Sequence, residues 1–362
     1  MEIFHRVLNA AVQGGASDVH IKIGAPIIFR INRQLVAIEA PIPTVEWLDN
    51  VVENIIPKHA RRKLDEEREA DFSYFYPGVG RFRTNVFQQR GQWCLAMRYV
   101  KTNVPSFEEL GLLPILKQIA LSPRGIVLVA GSTGSGKSTT LAAMLEHINA
   151  SQKKHIITLE DPIEFVFDDN QSVIEQRELG LDTITFNHGL RNILRQDPDI
   201  IMIGEMRDAA SFSAAMSAAD TGHLVLSTLH TTNAAQSVTR ILDFFKADER
   251  EQVRRQLAGT LQAVICQRMV TTVNGTVTPA LEILINTPTV RKMIEENRLD
   301  KLGAAIETGT EDGMQNFNQA LFTLVKERRV SEKEALAKAS NPQALEMNFK
   351  GIFLDEGRRI LG

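Results

Sequence analysis

Residues 125–140 read GIVLVAGSTGSGKSTT. Ile126 to Ala130 leave no face for water, so they read as a buried strand. Gly131, Ser132, Thr133, Gly134, Ser135, Gly136, Lys137 and Ser138 then fit G-x-x-x-x-G-K-[ST]. A helical stretch, Thr139 to His147, follows at once. Glycines in such a loop let backbone N–H groups turn inward around a phosphate chain. The helix N-terminus adds its partial positive charge. Lys137 is placed to reach the β- and γ-phosphates of a nucleoside triphosphate, and the Ser138 hydroxyl to hold Mg²⁺. Thr139, next in line, and Arg124, just before the strand, complete the expected nucleotide-binding set.

The rest of the composition narrows the class. At 362 residues, two domains are favoured over one. Apolar residues make up 43 %, ample for soluble cores, and the formal net charge of −3 gives no overall field for nucleic acid. The longest apolar runs are far too short to span a bilayer. MEIFHRVLNAAVQGG has no basic stretch followed by a long apolar core, so no secretory leader is expected. Cys94 and Cys266 are far apart and fit no metal spacing, which favours a reduced, cytosolic chain.

Residues 1–100 read as a separate α+β domain. Helix is expected over Phe4–Val12, strands over Asp18–Ile23, Ile27–Ile31 and Gln34–Ile38 with a turn at Asn32-Arg33, and helices over Trp47–Ile56 and His59–Glu69. Strands Gly80–Gln88 and Gln92–Val100 follow. Residues 101–112 read as a linker, since Pro105 disfavours helix at Val104; a helical pair, Phe107–Leu110 and Leu113–Ala120, leads from it into the loop's strand. Residues 113–270 alternate strand and helix, with strands at His155–Leu159, Ile200–Gly204 and Leu224–Leu229 and helices at Phe186–Gln196 and Ala209–Ala219. That alternation predicts a parallel sheet with helices on both faces, with ligands at the carboxyl ends of its strands. Beyond Asp248 the chain reads as helical, with Val253, Leu257, Leu261, Val264 and Ile265 as one stripe, and residues 271–362 as a mostly helical subdomain.

Polar residues follow each core strand. Glu160, Asp161 and Glu164 follow HIITL, Glu205 follows IIMIG, and His230 follows LVLSTL. Phosphoryl transfer needs a carboxylate to orient or deprotonate water and others to hold Mg²⁺. Glu160 and Asp161 also suit a helix start ahead of Pro162. Glu205 directly follows a buried strand, where a carboxylate must be paired or functional. His223 and His230 bracket one strand, and both suit core-edge packing as well as chemistry. Arg81 and Arg83 are two apart on one strand and share a face. With Arg98 they read either as a solvated face or as arginine fingers supplied to a neighbouring chain.

GSTGSGKSTTLAAML, TLEDPIEFV, LRQDPDIIMIGEMRD and TGHLVLSTLHTTNA resemble, in order and spacing, the Walker A, Asp box, Walker B and His box of secretion-type ATPases. GASDVHI and GRFRTN resemble the same family's N-terminal domain. The likeness to the PilT/PilU type IV pilus retraction ATPases extends over nearly the whole chain. It implies an α/β chain with a PAS-like N-terminal domain, a RecA-like core with C-terminal helices and a hexameric ring. It implies ATP and Mg²⁺ as cofactors. Glu205 matches the Walker B glutamate, the general base; Glu164 matches the last acid of the Asp box; His223 and His230 match the His box; Arg81, Arg83 and Arg98 match arginines that reach the phosphates. The implied partners are an inner-membrane platform protein (PilC-like), a pilin filament moved indirectly, and a paralogous retraction ATPase. The implied location is cytoplasmic, at the inner face of the inner membrane, with no nucleic acid.

Two cysteines cannot make the four-cysteine zinc site of many assembly and secretion members, and GASDVHI already stands at residue 15, whereas extension motors usually carry a further domain before it. Both favour the retraction branch. Where the retraction enzyme carries AIRNLI, this chain has Thr289-Val290-Arg291-Lys292-Met293-Ile294, and its tail from Ala339 is reminiscent of the accessory paralogue PilU. A retraction motor and an accessory paralogue both stay open. A nucleic-acid translocase would need a basic pore or aromatic groove, a small-molecule kinase an acceptor pocket and lid, and a scaffold no Lys137 or Glu205; the sequence favours none of them.

Overall fold

Phe4, Val7, Leu8 and Ala11 recur at helical spacing. In the computed structural model, which describes residues 1–32, 34–101 and 103–352, they are the buried stripe of α1 (Glu2–Gln13). Arg33 of the expected turn, Thr102 of the expected linker and residues 353–362 of the tail lie outside the described residues. β1 (Asp18–Lys22), β2 (Ile28–Ile31) and β3 (Gln34–Ala37) follow. Thr44 starts α2 (Val45–Ile55), its hydroxyl accepting the Trp47 N–H. α3 (Lys58–Glu67) stops where Arg68 turns left-handed at φ 62°. Then come β4 (Glu69–Tyr76), β5 (Gly80–Gln89) and β6 (Gln92–Tyr99). β4 was not expected: a charged run prolongs the helical pattern to Glu69, and alternation shows only from Ala70.

Among the described residues these strands form a six-stranded antiparallel sheet, ordered β3-β2-β1-β6-β5-β4. Val19, Ile21, Phe82, Val86, Leu95 and Met97 face a core completed by Phe4, Leu8, Leu48, Val52 and Leu64 from the helices. Alternation sends the intervening residues to the other face. Asp18 pairs in register with both Arg30 and Arg98, and Arg83 with Arg98.

The remaining elements begin with α4 (Phe107–Leu110), closed by a Ser106–Glu109 capping box inside the expected linker, and α5 (Ile115–Ala120). β7 (Gly125–Ala130) is buried at every residue, as its composition requires. α6 (Lys137–Ser151), β8 (His155–Glu160), β9 (Val173–Glu178), α7 (Phe186–Ile193), β10 (Ile200–Ile203), α8 (Ala209–Asp220), β11 (Leu224–Leu229), α9 (Ala234–Asp243) and α10 (Arg250–Thr260) follow. β12 (Leu261–Thr271) and β13 (Val277–Ile285) come next. The last described helices are α11 (Pro288–Glu295), α12 (Leu302–Thr308), α13 (Phe317–Lys326), α14 (Glu332–Lys338) and α15 (Pro342–Phe349).

The second sheet runs β13-β12-β7-β11-β10-β8-β9, seven strands among the described residues. β12, β7, β11, β10 and β8 are parallel, and β13 returns antiparallel to β12. The helical reading beyond Asp248 is therefore corrected. Val253 and Leu257 lie on α10, but Leu261, Val264 and Ile265 lie on β12. When every residue of a short run is apolar, periodicity cannot separate a buried strand from a buried helix. By packing, residues 1–103, 160–167 and 177–185 make one unit, and the rest make a second.

Candidate active site

β7 delivers Gly131 at φ 155°, where a Cβ would lie 2.4 Å from Ser135 Oγ and 2.7 Å from the Gln267 carbonyl oxygen. Gly136 starts α6 at φ 88°, and a Cβ there would lie 2.7 Å from Gln267 Nε2. Glycine is required at both positions because the loop closes tightly on itself and on β12. Gln267 is nearly buried, and its Oε1 accepts the Thr140 hydroxyl at 2.8 Å, which ties β12 to the first turn of α6. Lys137 Nζ donates to the carbonyls of Gly131 (3.0 Å) and Ser132 (3.1 Å). Ser135 Oγ is buried with no hydrogen-bond partner among the described residues. Ser132, Thr133 and Gly134 form the exposed rim, while Ser138 and Thr139 are half-buried on the first turn of α6.

β7, β11 and β10 are parallel neighbours, so their carboxyl ends share one edge of the sheet. Glu205 stands two residues past β10, and His230 is the first residue past β11. His230 Nε2 is 3.2 Å from Glu205 Oε1, and Arg207 holds Oε2 at 2.9 Å. Ser227 and Thr228 on β11 donate to the carbonyls of Ile203 and Gly204, each at 2.7 Å, which fixes the exit of β10. Asp208 accepts the Ser211 N–H at 2.8 Å as the cap of α8.

Two expected residues stand elsewhere. Arg124 precedes β7 and His223 precedes β11, each at the end of its strand opposite the loop. A six-residue strand separates such ends by about 20 Å. His223 Nδ1 lies 2.9 Å from the Ala218 carbonyl and packs on the end of α8. The structure brings neither Arg124 nor His223 to the phosphate loop.

In the first unit, Glu160 ends β8 as a buried carboxylate, while Asp161 and Glu164 are exposed. No helix begins at Pro162, so the helix-start reading of Glu160 and Asp161 does not apply. Glu178 gathers this segment: it accepts from Ser73 Oγ (2.6 Å), Arg81 (3.2 Å) and the Ile163 N–H (3.2 Å). Arg98 donates to Asp18 at 2.8 Å, and Arg83, opposite Arg98, is exposed. Burial alone would raise the Asp18 carboxyl, but Ser17 and the Arg98 guanidinium outweigh it and hold it below the ordinary range.

The model of the family described as Type II/IV secretion system protein matches residues 1–346. The chain belongs to that family. It is 41 % identical over 337 residues to the Type IV pilus retractation ATPase PilT of Pseudomonas aeruginosa, covering 93 % of this chain and 98 % of that one. It is 38 % identical over 348 residues to the Type IV pilus ATPase PilU of the same organism, with 96 % and 91 % covered. The crystal structure of the pilus retraction motor PilT with bound ADP superposes with a TM-score of 0.87 at 38 % identity, over 94 % of this chain and 98 % of that one. In this secretion-family chain Gln267 and Glu178 stand outside the motifs, and Arg207, among the polar residues after IIMIG, carries no role in them. Gln267 had one signal, a polar residue inside the apolar run VICQRMV. Arg207 lies within the Walker B run itself, and Glu178 sits in a polar stretch with no motif.

Proposed function

We propose that this chain is a motor ATPase of type IV pilus retraction, hydrolysing ATP at the edge formed by β7, β10 and β11. The observation that carries the reading is Glu205, 3.2 Å from His230, whose strand β11 lies beside the strand that delivers the glycine loop. The residues suit a triphosphate: the glycine cradle has no room for a side chain at Gly131 or Gly136, and Ser135 keeps a buried hydroxyl to spend. Among the described residues no group of three or more His, Cys, Asp or Glu side chains could hold a metal. Mg²⁺ takes most of its ligands from phosphates and water plus one or two protein groups. The half-buried Ser138 hydroxyl, on the first turn of α6, would be that group, and the ion would supply charge neutralisation.

The side chains then divide the work. Lys137 exchanges the Gly131 and Ser132 carbonyls for phosphate oxygens. Glu205 orients the attacking water and accepts its proton. His230 and Arg207 aim the Glu205 carboxylate. Glu164, with Glu160 and Asp161, supports the water or metal. Arg81, Arg83 and Arg98 act as fingers on the site of a neighbouring chain in a homohexamer, leaving Glu178 and Asp18 when they do. The ring sits at the inner face of the inner membrane and works a pilin filament through a platform protein. Among the described residues no helix is long and apolar enough to cross a membrane. Similarity to PilU over 96 % of the chain favours a second reading, an accessory paralogue of the motor.

Complementation of a deletion strain, scored for filament retraction with and without any paralogue, tests the proposal. Wild-type chain restores retraction and Glu205→Gln does not. Equal rescue by both removes hydrolysis from the function, and rescue only beside a paralogue selects the accessory role.

A further inference from the structure

A carboxylate outside the phosphate-loop edge reaches back to it. Glu282, in the middle of β13, is 8 % exposed and lies opposite Cys266. Its Oε1 accepts the Ala234 N–H at 2.8 Å. Ala234 is the first residue of α9, four residues after His230. A carboxylate at a helix N-terminus meets both a donor that the helix cannot satisfy internally and the positive end of its dipole. The short connection between His230 and α9 is tied down at each remaining residue. Thr231 Oγ1 lies 2.6 Å from Ser237 Oγ. The Thr232 carbonyl faces Arg268 at 3.5 Å, and Asn233 caps α9 through the Gln236 N–H at 2.8 Å.

Arg268 lies on β12, on the same face as Glu282. It also donates to the Lys338 carbonyl, at the end of α14, at 2.9 Å, and its guanidinium carbon sits 3.8 Å from the centre of the Phe317 ring at the start of α13. The His230 connection is therefore latched from two sides of one hairpin, and that hairpin is anchored in the C-terminal helices.

We infer that Glu282, assisted by Arg268, is a positioning residue for ATP hydrolysis: it holds the start of α9 so that His230 stays against Glu205. The inference rests on the ATPase reading above. It gives the C-terminal helices a physical route to the catalytic carboxylate, through Phe317 and Lys338 to Arg268 and on to Thr232, two residues from His230. Glu282 touches no reacting atom; it acts through His230.

Steady-state ATPase kinetics of the full chain test it. Glu282→Ala removes the acceptor, and kcat falls about 10- to 100-fold, the loss that follows from a misplaced catalytic group, while KM for ATP stays put because the phosphate loop is untouched. Glu282→Gln keeps an oxygen for the Ala234 N–H and stays near wild type. In a His230→Ala background, Glu282→Ala has almost no further effect. Leu345→Ala, a buried truncation in α15, lowers the melting temperature without this pattern when assayed well below it. Wild-type kcat in Glu282→Ala overturns the inference, as does a full additional loss in the His230→Ala background. Should the wild type hydrolyse no ATP, the ATPase reading falls by itself. The latch is then judged by hydrogen exchange, where unchanged protection over residues 231–236 in Glu282→Ala overturns it.

Discussion

The Lys137 ammonium donates to two loop carbonyls, Gly131 and Ser132, contacts that phosphate oxygens would replace in the proposed function. Lys137→Ala loses both the contact and the charge, and measured ATP affinity should fall at least tenfold; unchanged affinity would separate this lysine from nucleotide binding. Gln267 makes a different kind of contribution. Truncation to Ala leaves the buried Thr140 hydroxyl without its partner, a cost of about 1–3 kcal/mol measurable by denaturant unfolding. That Lys137, Glu205 and His230 stand at the carboxyl ends of neighbouring parallel strands was legible from sequence, because each directly follows a short apolar run or the glycine loop. Gln267 and Glu282 were not, because what they do depends on which strand lies beside the loop, and no local spacing encodes that. Arg124 and His223 mark the converse: each flanks a core strand, but on the end away from the phosphate loop.

At the scale of elements, β12 and β13 changed most from the sequence reading. α1, α2 and β1 follow patterns set by one buried face, while β7, β8, β10 and β11 are short all-apolar runs set between helices. β12 is buried nearly throughout, between β7 and β13, so its pattern carries no period. Its burial makes Ile265→Ala costly, about 2–5 kcal/mol by unfolding. β1 and β6 carry a pH signature of their own. The Asp18 carboxyl is depressed in the fold, so its contribution is present above the unfolded value of about 3.9 and lost as pH falls through the folded one. Asp18→Asn should therefore lower stability in the neutral region, where the ionised carboxyl and its Arg98 contact contribute, and flatten the acid limb below about pH 4, the two proteins converging once Asp18 is protonated. A steep acid limb in that variant would assign the effect to other carboxylates.

At the scale of the whole molecule, one chain holds a phosphate loop on one sheet and three arginines on another. Arg81 and Arg98 are engaged with acids of their own chain, Glu178 and Asp18. In a ring they are free to serve a neighbour only by exchanging those partners, which makes the exchange itself a candidate for the moving step. Mixed rings of Arg81→Ala and Lys137→Ala chains should regain activity that neither has alone, since each supplies what the other lacks; rings shown to mix without any recovery would place the arginine's role within its own chain. The proposed hydrolysis turns on one chemical assignment, that Glu205, just past β10, takes the proton from the attacking water. Single-turnover hydrolysis by purified Glu205→Gln tests it most directly. Glu205→Gln should bind ATP at wild-type affinity with the rate of hydrolysis down about 100-fold or more; a wild-type rate would show that another group takes the proton.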